Sequence, residues 1–295
     1  MTAGPHGDGE VPAFWQALGL PGLADIHVHF LPARNLQRMW LRADEDSLAG
    51  GHLPAYVYRW SDEERVAHLR ELGVRAFTAL AYAHQPGMAD GLNAWTLDFA
   101  AHNPGCIPSA TIYPEPGVNR YTKAALDAGA RVFKVHVPGG GFDLTHARLD
   151  PVWGMLADAG VPVVIHVGGE ARTTGPDPLE AVLRRHPTLR AVVAHLGAPD
   201  YEHFVALAEH YERVCLDTAA VFTPGYDAAS GACPRRLLPH LRDLGLAGKV
   251  LLGSDFPAIA YPYAEQLAGL AALDLGDDWL RAVCWDNTAR LLELS

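Results

Sequence analysis

His27-Val-His29 sets two imidazoles two residues apart, and residues so spaced on a strand point to one side, so both rings can grip a single ion. Alone, such a pair is a weak signal. Three further positions strengthen it: His166, His195 and Asp255 each stand at the end of their own apolar run, and Lys134 and His136 stand at the end of another. Neutral imidazoles joined by one carboxylate suit zinc or another borderline divalent metal. The chemistry that these residue types offer together is metal-ion chemistry.

Such residues need elements that bring them together. Runs at 23–29, 74–81, 107–113, 131–137, 161–167, 189–196, 214–219 and 249–255 read as eight strands, each followed by a helical stretch. Several are continuously apolar, as strands buried on both faces are. Ser61-Asp-Glu-Glu64 is a capping box that opens one of the helices, and Gly73 is placed to end it. Strand–helix alternation gives parallel βαβ units, and an open doubly wound sheet shows a similar pattern; the count of eight favours an α/β chain folded as a (β/α)8 TIM barrel. In that fold the C-terminal strand ends meet at one mouth. The first strand then delivers His27 and His29, the fourth Lys134 and His136, the fifth His166, the sixth His195 and the eighth Asp255. The stretch from His29 to Tyr58 reads as a long irregular segment over that mouth, a lid carrying Arg34, Arg38, Trp40, Arg42 and Tyr56. Arg42 is a candidate partner for a substrate carboxylate, and Lys134 and His136 are candidate substrate contacts.

Plainer readings compete with each of these. The chain has 15 histidines, so some reach strand ends by chance. His68, His84, His102, His186, His203, His210 and His240 fall on helices or loops and are expected to face solvent. Asp217 is expected to be a structural hydrogen-bonding residue, and Asp255 could serve only as a cap for the turn at Phe256-Pro257. Convergence of separate strand ends on one mouth is what favours a metal site.

Composition narrows the class. A chain of 295 residues fits one domain, 1–295, with residues 1–20 expected as a mobile tail. A net charge of −11 argues against nucleic acid and anionic membrane as partners and leaves a small-molecule substrate. Cys106, Cys215, Cys233 and Cys284 form no C-x-x-C pair and are expected as free thiols in a reducing compartment. No apolar run approaches the roughly 18 residues of a spanning helix, and the N-terminus lacks a basic start and apolar h-region, so the expectation is a cytoplasmic protein. A homodimer is compatible with the sequence but marked by no surface stripe.

Asp25-Ile-His-Val-His29 resembles the opening motif of the amidohydrolase superfamily. Val163-Val-Ile-His166, Ala194-His-Leu-Gly197 and Leu252-Gly-Ser-Asp-Phe-Pro257 resemble the later motifs of its amidohydrolase-related branch, and Asp286-Asn-Thr-Ala-Arg-Leu-Leu292 resembles the closing helix of that branch. The resemblance implies a metal-dependent barrel enzyme with His27, His29, His166 and Asp255 as ligands of a divalent metal, usually zinc. It implies that Asp255 takes a proton from a water whose pKa the metal lowers toward about 7, and that His195 either binds a second metal or polarises the substrate. Lys134 stands near the place where two-metal relatives carry a carboxylated lysine; one ion is the favoured expectation. Members of this branch hydrolyse amides, esters or lactones, or decarboxylate aromatic or unsaturated acids. The loop Val167-Gly-Gly-Glu170 after His166 looks more like the hydrolases. A non-catalytic metal-binding barrel is the alternative from another class, and its mark would be a lost ligand.

Overall fold

A computed structural model describes residues 2–48, 56–167 and 175–294. Its strands are β1 (Leu23–Asp25), β2 (Val74–Thr78), β3 (Cys106–Ile107), β4 (Ser109–Thr111), β5 (Val132–His136), β6 (Val163–His166), β7 (Ala191–Val193), β8 (Val214–Asp217) and β9 (Val250–Leu251). All pair in parallel, as β1-β2-β3 and as β4 to β9 in chain order. β3 and β4 are the third expected strand, divided at Pro108, which has no N–H to give to a ladder. The Pro108 carbonyl still accepts from the Arg131 amide at 2.8 Å.

The last strand returns to the first. Ile26 N donates to Leu252 O (2.9 Å), Asp255 N to His27 O (2.9 Å) and His29 N to Phe256 O (2.7 Å), with a parallel bridge between Val28 and Phe256. This seam completes the (β/α)8 ring and joins the two residues that the metal reading most depends on.

Side chains sort by strand period. Val132, Val164, Val192, Cys215 and Leu251 join Ala24 and Ile26 in an inner apolar cluster. Phe133, Val135, Val163, Ile165 and Leu216 belong to the larger cluster that includes the helices. Two residues beyond an inner position the chain faces inward again. That alternation takes β5 from Val132 to Lys134 and His136, β6 from Val164 to His166, and β8 from Cys215 to Asp217.

Three expectations are corrected. Residues 1–20 were expected as a tail, yet Val11–Ala17 is a helix whose Val11 and Phe14 enter the core with Leu18 and Leu20. Asp8 fastens it: its carboxylate accepts from the Tyr58 hydroxyl (2.6 Å), His68 Nε2 (2.9 Å) and the Ala264 amide (2.9 Å). His68, expected to face solvent, is thereby tied down. The segment after His29 was expected to be irregular, but Ala33–Leu48 is a helix. Its Leu36 and Ala43, seven apart, are buried, while Asn35, Arg38, Met39 and Arg42 share another face. The capping box is present, with Ser61 N to Glu64 Oε2 at 2.8 Å and Glu64 N to Ser61 Oγ at 3.2 Å. Gly73 has φ +82°, and a Cβ there would strike Trp15. No described helix is long and apolar enough to cross a membrane.

Candidate metal centre

β1 ends at Asp25 and the chain bends at Ile26, so His27 and His29 flank the seam residue Val28. Asp25 holds the bend. One of its oxygens accepts from the His27 and Ser254 amides (3.0 and 3.2 Å), and the other accepts from the Tyr263 hydroxyl (2.8 Å). His195 and Asp255 do not arrive by strand alternation. Their φ values of +55° and +65° are left-handed, a conformation rarely taken by residues with a side chain. Those turns swing both side chains into the mouth.

His27, His29 and Asp255 bring one donor atom each into a group spanning no more than 4.8 Å. His29 Nε2 lies 2.9 Å from Asp255 Oδ1, and His27 Nε2 lies 3.5 Å from the same oxygen. The partners on the far side of each ring decide the chemistry. His27 Nδ1 meets Asp217 Oδ2 at 2.9 Å, His29 Nδ1 meets Leu80 O at 2.7 Å, and His195 Nδ1 meets Ala219 O at 2.8 Å. A carboxylate and a carbonyl only accept, so each Nδ1 carries a proton, and each ring, when neutral, turns an Nε2 lone pair toward the mouth. For His29, Nε2 meets a carboxylate oxygen across 2.9 Å, a contact closed by a proton on Nε2 or, in its place, by a cation. Two imidazole nitrogens and a carboxylate oxygen gathered this closely fit a divalent metal.

The charges agree with this. Burial, then the nearby Lys134 ammonium, push the His27 imidazole down to about 3, so it is neutral at pH 7. Burial alone would raise Asp255, but the His29 hydrogen bond and the surrounding imidazoles hold its carboxyl far below the usual range. Asp217 behaves likewise through His27. Lys134 is wholly buried, its Nζ 3.0 Å from His27 Nε2, and burial pushes its ammonium down to about 8.

His166 stands beside the trio. Its Nδ1 is 3.1 Å from His195 Nε2, and its ligand atoms fall outside the three-residue group. With the His195 Nε2 lone pair accepting, His166 Nδ1 donates and the His166 Nε2 is left for a ligand. His136 and His166 are register partners, and their rings stack at 3.9 Å and 10°. Burial, followed by the charge of Lys134, pushes the His136 imidazole down to about 3.

A cavity of about 640 Å³ opens over these residues. His29, Lys134, His136, His166 and Asp255 line its floor, and Arg38, Arg42, Tyr56, Tyr82 and His84 its sides. Arg42, the candidate carboxylate partner, borders this cavity. Asp217 is the hydrogen-bonding residue it was expected to be. His84 lies on a loop and is exposed, as expected, and it also borders the cavity. Tyr82, whose ring lies 4.6 Å from His136, was not singled out. Tyr82 and His84 alternate with alanines in Leu80-Ala-Tyr-Ala-His84, a period-two signal running past the end of β2. Most of the loop Val167-Gly-Gly-Glu170, residues 168–170, lies outside the described residues.

An eight-stranded parallel barrel with imidazole and carboxylate donors gathered at its strand ends defines a class of barrel enzymes. Within that class, the chain belongs to the amidohydrolase family, whose model matches residues 24–294. Solved structures agree in fold. An uncharacterised TIM-barrel protein from Bordetella bronchiseptica is 20% identical with a TM-score of 0.73, covering 92% of this chain and 99% of its own. A probable 2-pyrone-4,6-dicarboxylic acid hydrolase from Acinetobacter baumannii, with citric acid bound, is 13% identical with a TM-score of 0.61, covering 92% and 99%. The apo form of Metarhizium anisopliae IDCase is 15% identical with a TM-score of 0.61, covering 94% and 98%. No curated protein matches the chain at a comparable level.

Proposed function

We propose that this protein is a metal-dependent hydrolase acting on a small molecule that carries a carboxylate beside an amide, ester or lactone bond. The carrying observation is the convergence of His27, His29 and Asp255 into one donor group, of which His29 and Asp255 line the cavity. One zinc-type ion held by these three residues, with His166 Nε2 as a fourth donor, is the favoured content. When bound, such an ion supplies Lewis acidity toward a carbonyl oxygen and makes water acidic enough to attack near neutral pH.

The chain's own groups do the rest. Asp255 is ionised at neutral pH and takes up the proton of the attacking water at a carboxylate oxygen. His195, with a proton on Nδ1, accepts from His166 at Nε2; released from that contact it serves as a base or ligand, and it becomes a donor only as imidazolium. Arg38 and Arg42 face the cavity from one side of a helix, and among the described residues neither pairs with a carboxylate. They offer planar donor pairs to a substrate carboxylate. In a chain of net charge −11, a cavity bordered by two arginines and a lysine selects an anion.

The test is metal content by mass spectrometry on protein purified without added metal, followed by a screen of carboxylate-bearing lactones, esters and amides. About one metal per chain with hydrolysis lost in His27→Ala and Asp255→Ala is the expected result. Release of CO2 without hydrolysis would replace the reading with decarboxylation. Failure to take up metal after reconstitution would overturn it.

A further inference from the structure

Four imidazoles at the mouth have a backbone or carboxylate partner at Nδ1, and one of the four is wired in the opposite sense. His27, His29 and His195 each give their Nδ1 proton to an oxygen. At His136 the partner is the Gly139 amide, which donates to Nδ1 at 2.9 Å. A backbone N–H can only donate, so Nδ1 of His136 must present a lone pair. An imidazolium has no such lone pair. The ring is therefore neutral and its proton sits on Nε2.

We propose that His136 is a fixed hydrogen-bond donor that presents Nε2–H to the reacting carbonyl oxygen of the substrate. The inference rests on the hydrolase reading of the cavity and adds to it the residue that binds the oxygen on which negative charge develops. Among the described residues nothing bonds to this Nε2, although the residue borders the cavity floor.

The local chain is built to keep that tautomer. His136 is the last residue of β5, and its side chain caps the short turn Val137–Gly140. Pro138 has no N–H, so the first amide in that turn beyond Val137 is that of Gly139. A Cβ at residue 139 would sit 3.0 Å from the His136 Nδ1, so a side chain there would crowd the ring away from the amide. The parallel His166 ring at 3.9 Å and the Tyr82 ring at 4.6 Å limit rotation of the imidazole. Lys134, two residues earlier on the same inward side, opposes a second positive charge and so keeps the ring neutral.

The arrangement divides labour among the imidazoles. Those with Nε2 lone pairs can hold a metal or take a proton. None of those three, while neutral, can donate to an oxyanion. His136 can do so without a change of protonation, and a donor already in place needs no reorganisation as charge builds.

The test uses protein labelled with 15N-histidine, with and without zinc, and long-range 1H–15N spectra. The His136 signals are assigned by their loss in His136→Gln. Expected is an Nδ1 without a proton and a protonated Nε2; the reverse pattern overturns the inference. A second arm measures binding of methylphosphonate, a tetrahedral oxyanion mimic, to zinc-loaded protein by calorimetry. His136→Phe is expected to weaken binding about tenfold or more, while His136→Gln, which keeps a donor, stays within a few-fold. Equal binding by His136→Phe overturns the inference, as does zinc-loaded wild type that binds no methylphosphonate. Loss of zinc in His136→Gln would make the residue a ligand and also overturn it. Wild type that takes up no zinc would defeat the hydrolase reading instead, and the spectra of the metal-free protein would still decide the tautomer.

Discussion

Asp217 never reaches the cavity, yet it sets what His27 can do there. It takes the His27 Nδ1 proton on one oxygen and the His195 and Ala219 amides on the other. In Asp217→Asn the amide oxygen can keep the two backbone donors, but the NH₂ then faces Nδ1 and drives the His27 proton to Nε2, where it blocks ligation. Metal affinity should fall about 10–100-fold with the barrel intact by circular dichroism, measured by competition with a chelating dye. Lys134 gives a prediction of the opposite sign. Its ammonium is pushed down from 10.5 to about 8 by burial, so below pH 8 the folded state carries the full cost of a buried charge. Between pH 8 and 10.5 the folded form sheds its proton before the unfolded chain does, and the cost declines. Lys134→Met should therefore stabilise the metal-free protein by up to roughly 3 kcal/mol at pH 7, with the gain fading toward pH 10.5 in urea titrations. At this scale His27, His29, Asp255 and Arg42 were legible, because residue type and strand-end position are properties of the sequence. The tautomers were not, since they depend on the Leu80 and Ala219 carbonyls and the Gly139 amide, whose positions only folding decides.

Among the elements, Ala33–Leu48 shows how a pattern can be present and still go unread. Leu36 and Ala43 mark a buried stripe, but the charged residues between them obscure it, and the helix opens straight after Leu31-Pro32 rather than on a Ser, Thr, Asp or Asn cap. Read as a loop, the segment offered scattered arginines; as a helix it places Arg38 and Arg42 one turn apart over the same cavity. Arg42→Ala should raise KM for a carboxylate substrate about tenfold while kcat changes less than about threefold, because a group that binds the substrate's remote end acts equally on ground and transition states. Arg42→Lys should recover little of the loss, since a lysine cannot make the paired contact. The strands were legible to within a few residues because their apolar runs are continuous. The division of β3 from β4 was foreshadowed by Pro108.

Across the whole molecule, the N-terminal segment is part of the barrel. Asp8 bonds Tyr58 and Ala264; Tyr58 accepts from the Tyr263 amide at 2.6 Å; Tyr263 reaches Asp25 at the base of the His27 bend. Nothing in composition distinguishes residues 1–10 from a solvated tail, because the link consists of single polar contacts to residues at least 50 positions away. Asp8→Ala removes three of them and should lower the free energy of unfolding by roughly 2–3 kcal/mol, read from urea titrations.

The seam between β1 and the residues after β9 also bears on how the protein is made. His27 leaves the ribosome long before Asp255, and the metal-capable group exists only once both are in place. Domains ordinarily gain structure as they emerge, at about 5–20 residues per second; here the half-built chain holds histidines but no site for them to share. A nascent barrel would thus be spared from trapping a metal in a wrong arrangement until Asp255 has been added. A chain stopped at Leu246, produced alongside the full protein and measured for bound metal, should carry none.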